Sequence, residues 1–152
     1  GQDNSSGALA TTLYQNQGAG TFSVVSAGLA DIGRGGRARW GDYDNDGDLD
    51  LVLTGDDSSV STLDASIRLY ANDGSGKFSD VTAEVGLEQP LYGMGVAVGD
   101  YDNDGWTDLF LSAVGPNRLL RNDAGKFRDV TKRAGVAGDA RGDRAAPRRR
   151  RR

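Results

Sequence analysis

An internal repeat is the feature of the sequence that most constrains its fold. The segment GDYDNDGDLDLVL at residues 41–53 recurs as GDYDNDGWTDLFL at residues 99–111, an offset of 58 residues. A second segment occurs three times, at residues 13–30, 69–87 and 119–137, and its copies share a leucine, an asparagine three positions later and a phenylalanine beyond it. Such a period indicates stacked supersecondary units, each of which needs its neighbours to bury its apolar face.

Each unit is predicted to contain four short strands. The apolar runs 51–53 and 109–111 are flanked by turn residues, which is typical of strands buried on both faces. The other candidate strands are 38–40, 67–70 and 78–82 in one unit, and 96–98, 118–121 and 127–131 in the other. Four strands in about 50 residues is the pattern of a propeller blade, whereas a β-sandwich would not explain the internal copy. We therefore predict an all-β fold of four-stranded antiparallel blades, about two and a half blades of a larger propeller.

The chain is predicted to divide into a repeat segment and a tail. The repeat segment covers residues 1–138, with the end of one blade at 11–30 and complete units at 37–87 and 93–137. The tail, residues 139–152, contains seven Arg and two Asp, so its charge is +5, whereas the rest of the chain carries −9. We predict that this Arg-rich tail is disordered. The acidic body argues against nucleic-acid binding, because phosphate contacts need a basic face.

Composition excludes several kinds of chemistry. The chain has no Cys and no His, so it has no thiol nucleophile, no imidazole metal ligand and no Ser-His-Asp triad. No apolar run approaches the ~20 residues that span a bilayer. Glu84 and Glu88 are the only glutamates, and most Asp residues lie in the repeated loops, so no glycosidase-type acid and base pair is evident. We predict that the chain is not an enzyme.

The two Asp-rich loops are candidate metal sites. Counted as nine positions from residue 42 and from residue 100, both have Asp at positions 1, 3, 5 and 9 and Gly at position 6. Converging carboxylates repel one another unless a cation neutralises them. Oxygen ligands in a flexible loop suit Ca²⁺ better than Mg²⁺, and no soft ligand is present to select zinc or copper. The sequence therefore predicts two Ca²⁺ sites, of about 10⁻⁴–10⁻³ M affinity, as in extracellular modules.

Two other interpretations of the Asp-rich loops, an EF-hand loop and a metal-free turn, fit the sequence less well than these two Ca²⁺ sites do. An EF-hand loop has 12 residues, closes with a bidentate Glu and continues into a helix. Here the twelfth position is Leu53 or Leu111, within an apolar run that is predicted to be a strand. Asp, Asn and Gly also form simple turns without any metal, but turn formation alone does not account for two copies with the same ligand spacing.

The unit GDYDNDGxxDLxL, followed by a strand, N-D-G-x-G-x-F-x-D-V-T and A-G-L, resembles the FG-GAP/VCBS repeat. This repeat builds the calcium-binding β-propellers of integrin α-subunits and of many secreted bacterial proteins. Residues 93–136 are especially similar to the cartilage acidic protein-like group, whose members often carry an ASPIC/UnbV module. The resemblance implies side-chain ligands at positions 1, 3, 5 and 9 and a carbonyl ligand at position 7. The implied residues are Asp42, Asp44, Asp46, Asp48 and Asp50, and Asp100, Asp102, Asp104, Trp106 and Asp108.

The resemblance and the composition together suggest a function and leave alternatives open. The first hypothesis is a non-catalytic, calcium-binding repeat module of a secreted, periplasmic or surface-attached protein, which binds an extracellular protein or a glycan. The alternative is a propeller fragment of a carbohydrate-active enzyme such as a polysaccharide lyase, or a lectin that stacks sugars on the rings of Trp40, Trp106, Tyr43 and Tyr101. The two tyrosines stand at the same position of the two loops, and we therefore predict that they pack under the hairpin instead. Arg141-Gly142-Asp143 is an integrin-recognition tripeptide, but Arg, Gly and Asp are so abundant in this chain that about 0.3 copies of the tripeptide are expected by chance.

The repeat count predicts uncovered blade faces. A blade is stabilised by its neighbours, and two and a half units do not close a ring. We therefore expect the segment to associate with the remaining blades of a parent propeller or with copies of itself.

Overall fold

The computed structural model describes residues 11–31, 36–56, 65–88, 91, 93–113 and 115–138. Within these residues the chain forms ten strands and one single-turn helix. In chain order they are β1 (Leu13–Gly18), β2 (Thr21–Val25), β3 (Arg37–Gly41), β4 (Asp50–Asp56), β5 (Ala65–Asn72), β6 (Phe78–Asp80), β7 (Gly93–Gly99), β8 (Asp108–Ala113), β9 (Arg118–Asn122), β10 (Phe127–Asp129) and α1 (Thr131–Ala134).

The strands form three antiparallel sheets. Strands β3-β4-β5-β6 make the first four-stranded sheet, β7-β8-β9-β10 make the second, and β1 pairs with β2 in a separate hairpin. Every strand pairs with its neighbour in sequence, so each sheet is a simple meander. The prediction of an all-β fold built from four-stranded antiparallel sheets is confirmed.

The central strands are buried on both faces, as predicted for the apolar run 51–53. Leu51 and Leu53 point to one face of the first sheet, and Val52 points to the other, because side chains alternate along a strand. Leu51 is paired with Trp40 on one side and with Tyr70 on the other. The register therefore places one apolar row of side chains across three strands.

The main core lies between the two four-stranded sheets, and the first strands of the two sheets, β3 and β7, contact each other. The first sheet and the connection after it contribute Val52, Ile67, Leu69, Val85, Leu87 and Leu91, and the second sheet contributes Val96, Leu109, Leu111 and Leu120. Neither sheet buries this face alone, which agrees with the behaviour of stacked repeats.

A smaller cluster joins the first sheet to the segment before it. Leu51, Leu53 and Tyr70 pack with Leu29 and Phe78. The Tyr70 hydroxyl accepts a hydrogen bond of 2.9 Å from the backbone N–H of Ala30. The first sheet is therefore covered on both faces, by the second sheet on one side and in part by the N-terminal segment on the other.

The fourth strand of each sheet is shorter than the sequence pattern predicts. Strand β10 ends at Asp129, and the predicted continuation to residue 131 is wrong, because Thr131 begins helix α1. The Asp129 carboxylate accepts the backbone N–H of Thr131 at 2.9 Å, which turns the chain out of the sheet. Asp80 accepts the N–H of Thr82 in the same way at the end of β6.

Some predictions concern residues outside the described ranges. These are residues 1–10 of the repeat segment, the Arg-rich tail at 139–152, and the Arg141-Gly142-Asp143 tripeptide within it. Among the described residues, no helix is long and apolar enough to cross a membrane.

Candidate metal centre

Both Asp-rich loops have left-handed backbone conformations at the same two positions. Asn45 and Asn103, at position 4, have φ angles of 59° and 60°, and Gly47 and Gly105, at position 6, have φ angles of 95° and 88°. Asn and Gly tolerate these left-handed conformations better than other residues do. Position 6 therefore provides a sharp bend in each loop.

The first Asp of each loop organises the turn. The Asp42 carboxylate accepts the N–H of Gly47 through Oδ2 at 3.1 Å. The Asp100 carboxylate accepts two N–H groups, from Asp104 at 3.1 Å through Oδ1 and from Gly105 at 2.8 Å through Oδ2. In the first loop, Asp42 Oδ1 is shielded from solvent and has no hydrogen-bond partner among the described residues. The first loop therefore keeps one inward carboxylate oxygen that its own backbone does not use.

The ninth Asp of each loop is buried and links the loop to the third strand of its sheet. Asp50 accepts the N–H of Tyr43 at 3.0 Å and the N–H of Asn72 at 2.9 Å. Asp108 makes the equivalent bonds, to the N–H of Tyr101 at 2.9 Å and to the N–H of Asn122 at 2.7 Å. These residues are structural whether or not they also bind a metal.

Three of the predicted ligands in each loop converge. Asp42, Asp44 and Asp50 each offer one carboxylate oxygen, and the three oxygens lie within 4.8 Å of one another. The equivalent trio in the second loop, Asp100, Asp102 and Asp108, meets the same distance limit. Each trio contains one buried carboxylate at position 9, with the other two less covered.

The residues at positions 5 and 7 do not join these trios. Asp46 accepts the N–H of Asp48 at 2.9 Å, and Asp104 accepts the N–H of Trp106 at 2.9 Å. The Asp48 side chain lies against Gly74 of the β5–β6 hairpin, where an added Cβ would collide with Asp48 Oδ2. That Asp46, Asp48, Asp104 and Trp106 act as ligands stays a prediction of the family resemblance.

Burial raises the pKa of three of the converging carboxylates, Asp44, Asp50 and Asp108. It raises the pKa of Asp50 from its ordinary value of 3.8 to about 6, although the N–H groups of Tyr43 and Asn72 act in the opposite direction. Burial also raises the pKa of Asp44 and that of Asp108. A cation placed between these oxygens would favour their charged forms.

The second loop has a cationic neighbour in the third strand of its own sheet. Arg121 Nη2 donates to Asp104 Oδ2 at 2.7 Å, and Arg121 Nε lies 2.8 Å from Asp102 Oδ2. The Nε makes no hydrogen bond within the described part of the chain, so its contact with Asp102 is a close pairing of charges. The hydrogen bond from Arg121 holds the pKa of Asp104 below its ordinary range.

Sequence reasoning missed the asparagine that ends the third strand of each sheet. Asn122 is fully buried, and its Nδ2 donates to the carbonyl of Tyr43 at 2.7 Å and to that of Thr107 at 3.1 Å. Asn72 donates to the carbonyl of Leu49 at 3.1 Å. Asn122 thus connects the first loop to the second sheet. The signal was present in the sequence, because the asparagine recurs in all three copies of the second segment.

The tyrosines at position 2 of the loops differ in their environment. Tyr43 is 7% exposed and stacks on Phe127 of the second sheet, with ring centroids 6.3 Å apart. Tyr101 is 43% exposed. The prediction that both tyrosines pack under a hairpin therefore holds for Tyr43, whose neighbouring sheet is present, and not for Tyr101 within the described residues.

Comparison with known proteins agrees with the repeats seen in the structure. A family model described as the FG-GAP-like repeat matches twice, at residues 3–53 and 54–111, which together cover more than two thirds of the chain. Each match ends within a strand that follows an Asp-rich loop, so the sequence repeat is offset from the sheets. A search of curated proteins finds no match. The finer resemblance to the cartilage acidic protein-like group stays a prediction. The chain belongs to the FG-GAP-like repeat family, whose repeats form β-propeller blades.

Proposed function

We propose that the chain is a non-catalytic, calcium-binding repeat module of an extracellular protein. The observation that carries this proposal is the first loop, where Asp42, Asp44 and Asp50 converge and Asp42 Oδ1 is shielded without a partner among the described residues. A shielded carboxylate oxygen without a hydrogen bond is costly unless a cation or water satisfies it. The family resemblance adds the expectation that the cation is calcium.

The donor set fits calcium. All the converging side-chain atoms are carboxylate oxygens, which are hard ligands, and the chain contains no Cys or His. Ca²⁺ takes six to eight oxygen ligands and accepts irregular geometry, whereas Mg²⁺ demands a near-ideal octahedron and keeps several waters. Asp42, Asp44, Asp46 and Asp50, with the carbonyl of Asp48, would hold the ion at the first loop. Asp100, Asp102, Asp104 and Asp108, with the carbonyl of Trp106, would hold it at the second.

The proposed role of the ion is structural. Asp50 and Asp108 already connect each loop to the third strand of its sheet, and the first loop contacts the second sheet through Tyr43. An ion that neutralises the converging carboxylates would fix each loop between the first two strands of its sheet and, at the first loop, the contact with the second sheet through Tyr43. Weak sites of this kind are filled where Ca²⁺ is millimolar, which supports a secreted, periplasmic or cell-surface parent protein.

The absence of catalysis is part of the proposal. The described acidic groups whose pKa is raised are loop residues such as Asp44, Asp50 and Asp108. Their burial and hydrogen bonds are explained by the loops themselves. Glu84 and Glu88 are both exposed and lie between the two sheets in sequence. We therefore propose binding rather than chemistry for this chain.

The proposed ligand is an extracellular protein or a glycan. An apolar groove of about 380 Å³ lies between the β1–β2 hairpin and the first sheet, and Tyr14, Trp40 and Phe78 line part of it. Aromatic rings in such a groove offer large contact area with little loss of side-chain freedom on binding. A further partner is the next blade of the parent propeller or a second copy, which would cover Tyr101 as the second sheet covers Tyr43.

Calorimetric titration with Ca²⁺ tests the proposal. We expect two ions per folded chain, with dissociation constants of about 10⁻⁴–10⁻³ M. Asp44→Asn should remove the first site and Asp102→Asn the second, each leaving the other nearly intact. Glu88→Gln is the matched control, because it removes one exposed negative charge outside both loops. A sample that is folded by circular dichroism yet binds no Ca²⁺ would overturn the proposal.

A further inference from the structure

Arg121 occupies a position from which it acts on the second loop. Its guanidinium contacts Asp102 at 2.8 Å and Asp104 at 2.7 Å, and its Nη1 lies 3.3 Å from Asp123 in the adjoining hairpin. Asp102 is also one of the three converging carboxylates of the second loop. A single side chain therefore brings positive charge to the edge of the candidate metal site.

The equivalent position beside the first loop is not charged. In the aligned copies of the second segment, Ala71 stands where the other sheet has Arg121. Within the part of the chain that the structure describes, no cationic side chain pairs with a carboxylate of the first loop. The two loops share left-handed conformations at positions 4 and 6 and differ in this counter-charge as well as in the residue at position 7.

The charge balance of the two loops differs as a result. The first loop carries five carboxylates, Asp42, Asp44, Asp46, Asp48 and Asp50, with no basic partner among the described residues. The second carries four, because Trp106 replaces the acid at position 7, and Arg121 neutralises one more. Electrostatic attraction for a divalent cation falls with each negative charge that is removed or paired.

We propose that Arg121 is a built-in counter-cation that partly replaces the metal at the second loop. The second loop then keeps its shape without Ca²⁺. It binds the ion about tenfold more weakly than the first loop does, because it has one acid fewer at position 7 and one more acid paired with Arg121, and each such charge interaction changes the affinity about threefold. This inference rests on the proposed calcium function. On this inference, the first loop needs the ion to keep its shape. The second loop does not need it, and it releases the ion more readily.

The first test compares the sites one at a time. Asp102→Asn leaves the first site and Asp44→Asn leaves the second, and calorimetry measures the dissociation constant of each remaining site. We expect the second site to be about tenfold weaker. Equal affinities, or a tighter second site, would overturn the inference. Binding at neither loop in the unmodified chain would instead overturn the proposed function, so the two failures are distinguishable.

The second test removes the counter-cation. In the Asp44→Asn background, Arg121→Ala gives the second loop the residue that the first sheet has at this position. We expect its Ca²⁺ affinity to rise about threefold and the metal-free protein to melt at a lower temperature. Arg121→Lys, which keeps the charge without the planar fork, should change both quantities less. Arg128→Ala is the control, because Arg128 is exposed and pairs only with Asp123 among the described residues.

The direction of the change decides between two roles of Arg121. Weaker Ca²⁺ binding by Arg121→Ala would show that Arg121 merely orients Asp102 and Asp104 for the ion. That result would contradict the inference that Arg121 takes part of the place of the ion. An unchanged affinity contradicts it as well. If Arg121→Ala does not fold, Arg121→Gln keeps the length of the side chain without its charge, and the same affinity measurement applies.

Discussion

Replacing Asn122 by Ala should destabilise the protein far more than the same change at Asn72, its equivalent in the first sheet. Asn122 makes three side-chain hydrogen bonds, to the Tyr43 carbonyl at 2.7 Å, to the Thr107 carbonyl at 3.1 Å and from the Gly125 N–H at 2.7 Å. At about 1 kcal/mol each, their loss costs about 3 kcal/mol. The buried carbonyl of Tyr43, left without its donor, adds about 1 kcal/mol. We expect a total cost of about 4 kcal/mol.

The matched variant Asn72→Ala removes two weaker bonds. Asn72 donates to the Leu49 carbonyl at 3.1 Å and accepts the Gly74 N–H at 3.2 Å, and both bonds are exposed, so water replaces them. The expected cost is about 1 kcal/mol. In both variants the backbone N–H remains, so the bonds to Asp50 and Asp108 persist.

Urea denaturation of the two variants in excess Ca²⁺, monitored by circular dichroism, measures the difference. We expect the free energy of unfolding to differ by about 3 kcal/mol between Asn122→Ala and Asn72→Ala, with similar m values. Most of this difference arises from the contact between Asn122 and the first loop. Equal costs would refute the conclusion that this asparagine holds the two repeats together.

Three further predictions concern pH, loop packing and strand ends. In the metal-free protein, the pKa of Asp50 is raised to about 6, so the folded state holds an extra proton between about pH 4 and pH 6. The free energy of unfolding should therefore fall as pH rises through this range. Urea denaturation at a series of pH values should show a smaller dependence on pH for Asp50→Asn. Tyr43→Ala should cost about 3 kcal/mol and Tyr101→Ala under about 0.5 kcal/mol in the same assay, because only Tyr43 is buried; equal losses would contradict the packing described here. Thr82→Val and Thr131→Val should each lower the free energy of unfolding by about 2 kcal/mol, because the Thr82 hydroxyl accepts the buried N–H of Leu69 and the Thr131 hydroxyl accepts that of Leu119. A loss of stability in only one of the two variants would contradict this role.

The repeat made most of the fold predictable. The apolar runs 51–53 and 109–111 are central strands, as expected, because their side chains are apolar on both faces of the sheet. The ends of the fourth strands were less predictable. Phe127–Asp129 is followed by residues with good strand propensity, but the Asp129 carboxylate captures the N–H of Thr131 and begins a helical turn. A local side-chain hydrogen bond overrides propensity there.

The candidate site was predictable in part. Alternating Asp residues around a central Gly predict a turn with inward carboxylates, and positions 1, 3 and 9 of each loop converge. Residues from other parts of the chain were not predictable from the loop pattern. Asn122 reaches the first loop from 79 positions away, and Arg121 reaches Asp104 from 17 positions away. Such contacts depend on how the sheets and hairpins are placed, which the spacing within one loop does not encode.

Crystallographic location of calcium tests the central claim most directly. An anomalous difference map from crystals grown in millimolar Ca²⁺ should show one peak at each loop, with oxygens at about 2.3–2.6 Å. We expect the stronger peak beside Asp42, Asp44 and Asp50, and a second peak beside Asp100, Asp102 and Asp108 that is weaker at limiting Ca²⁺. Folded protein whose map has no peak at either loop would contradict the calcium-binding role.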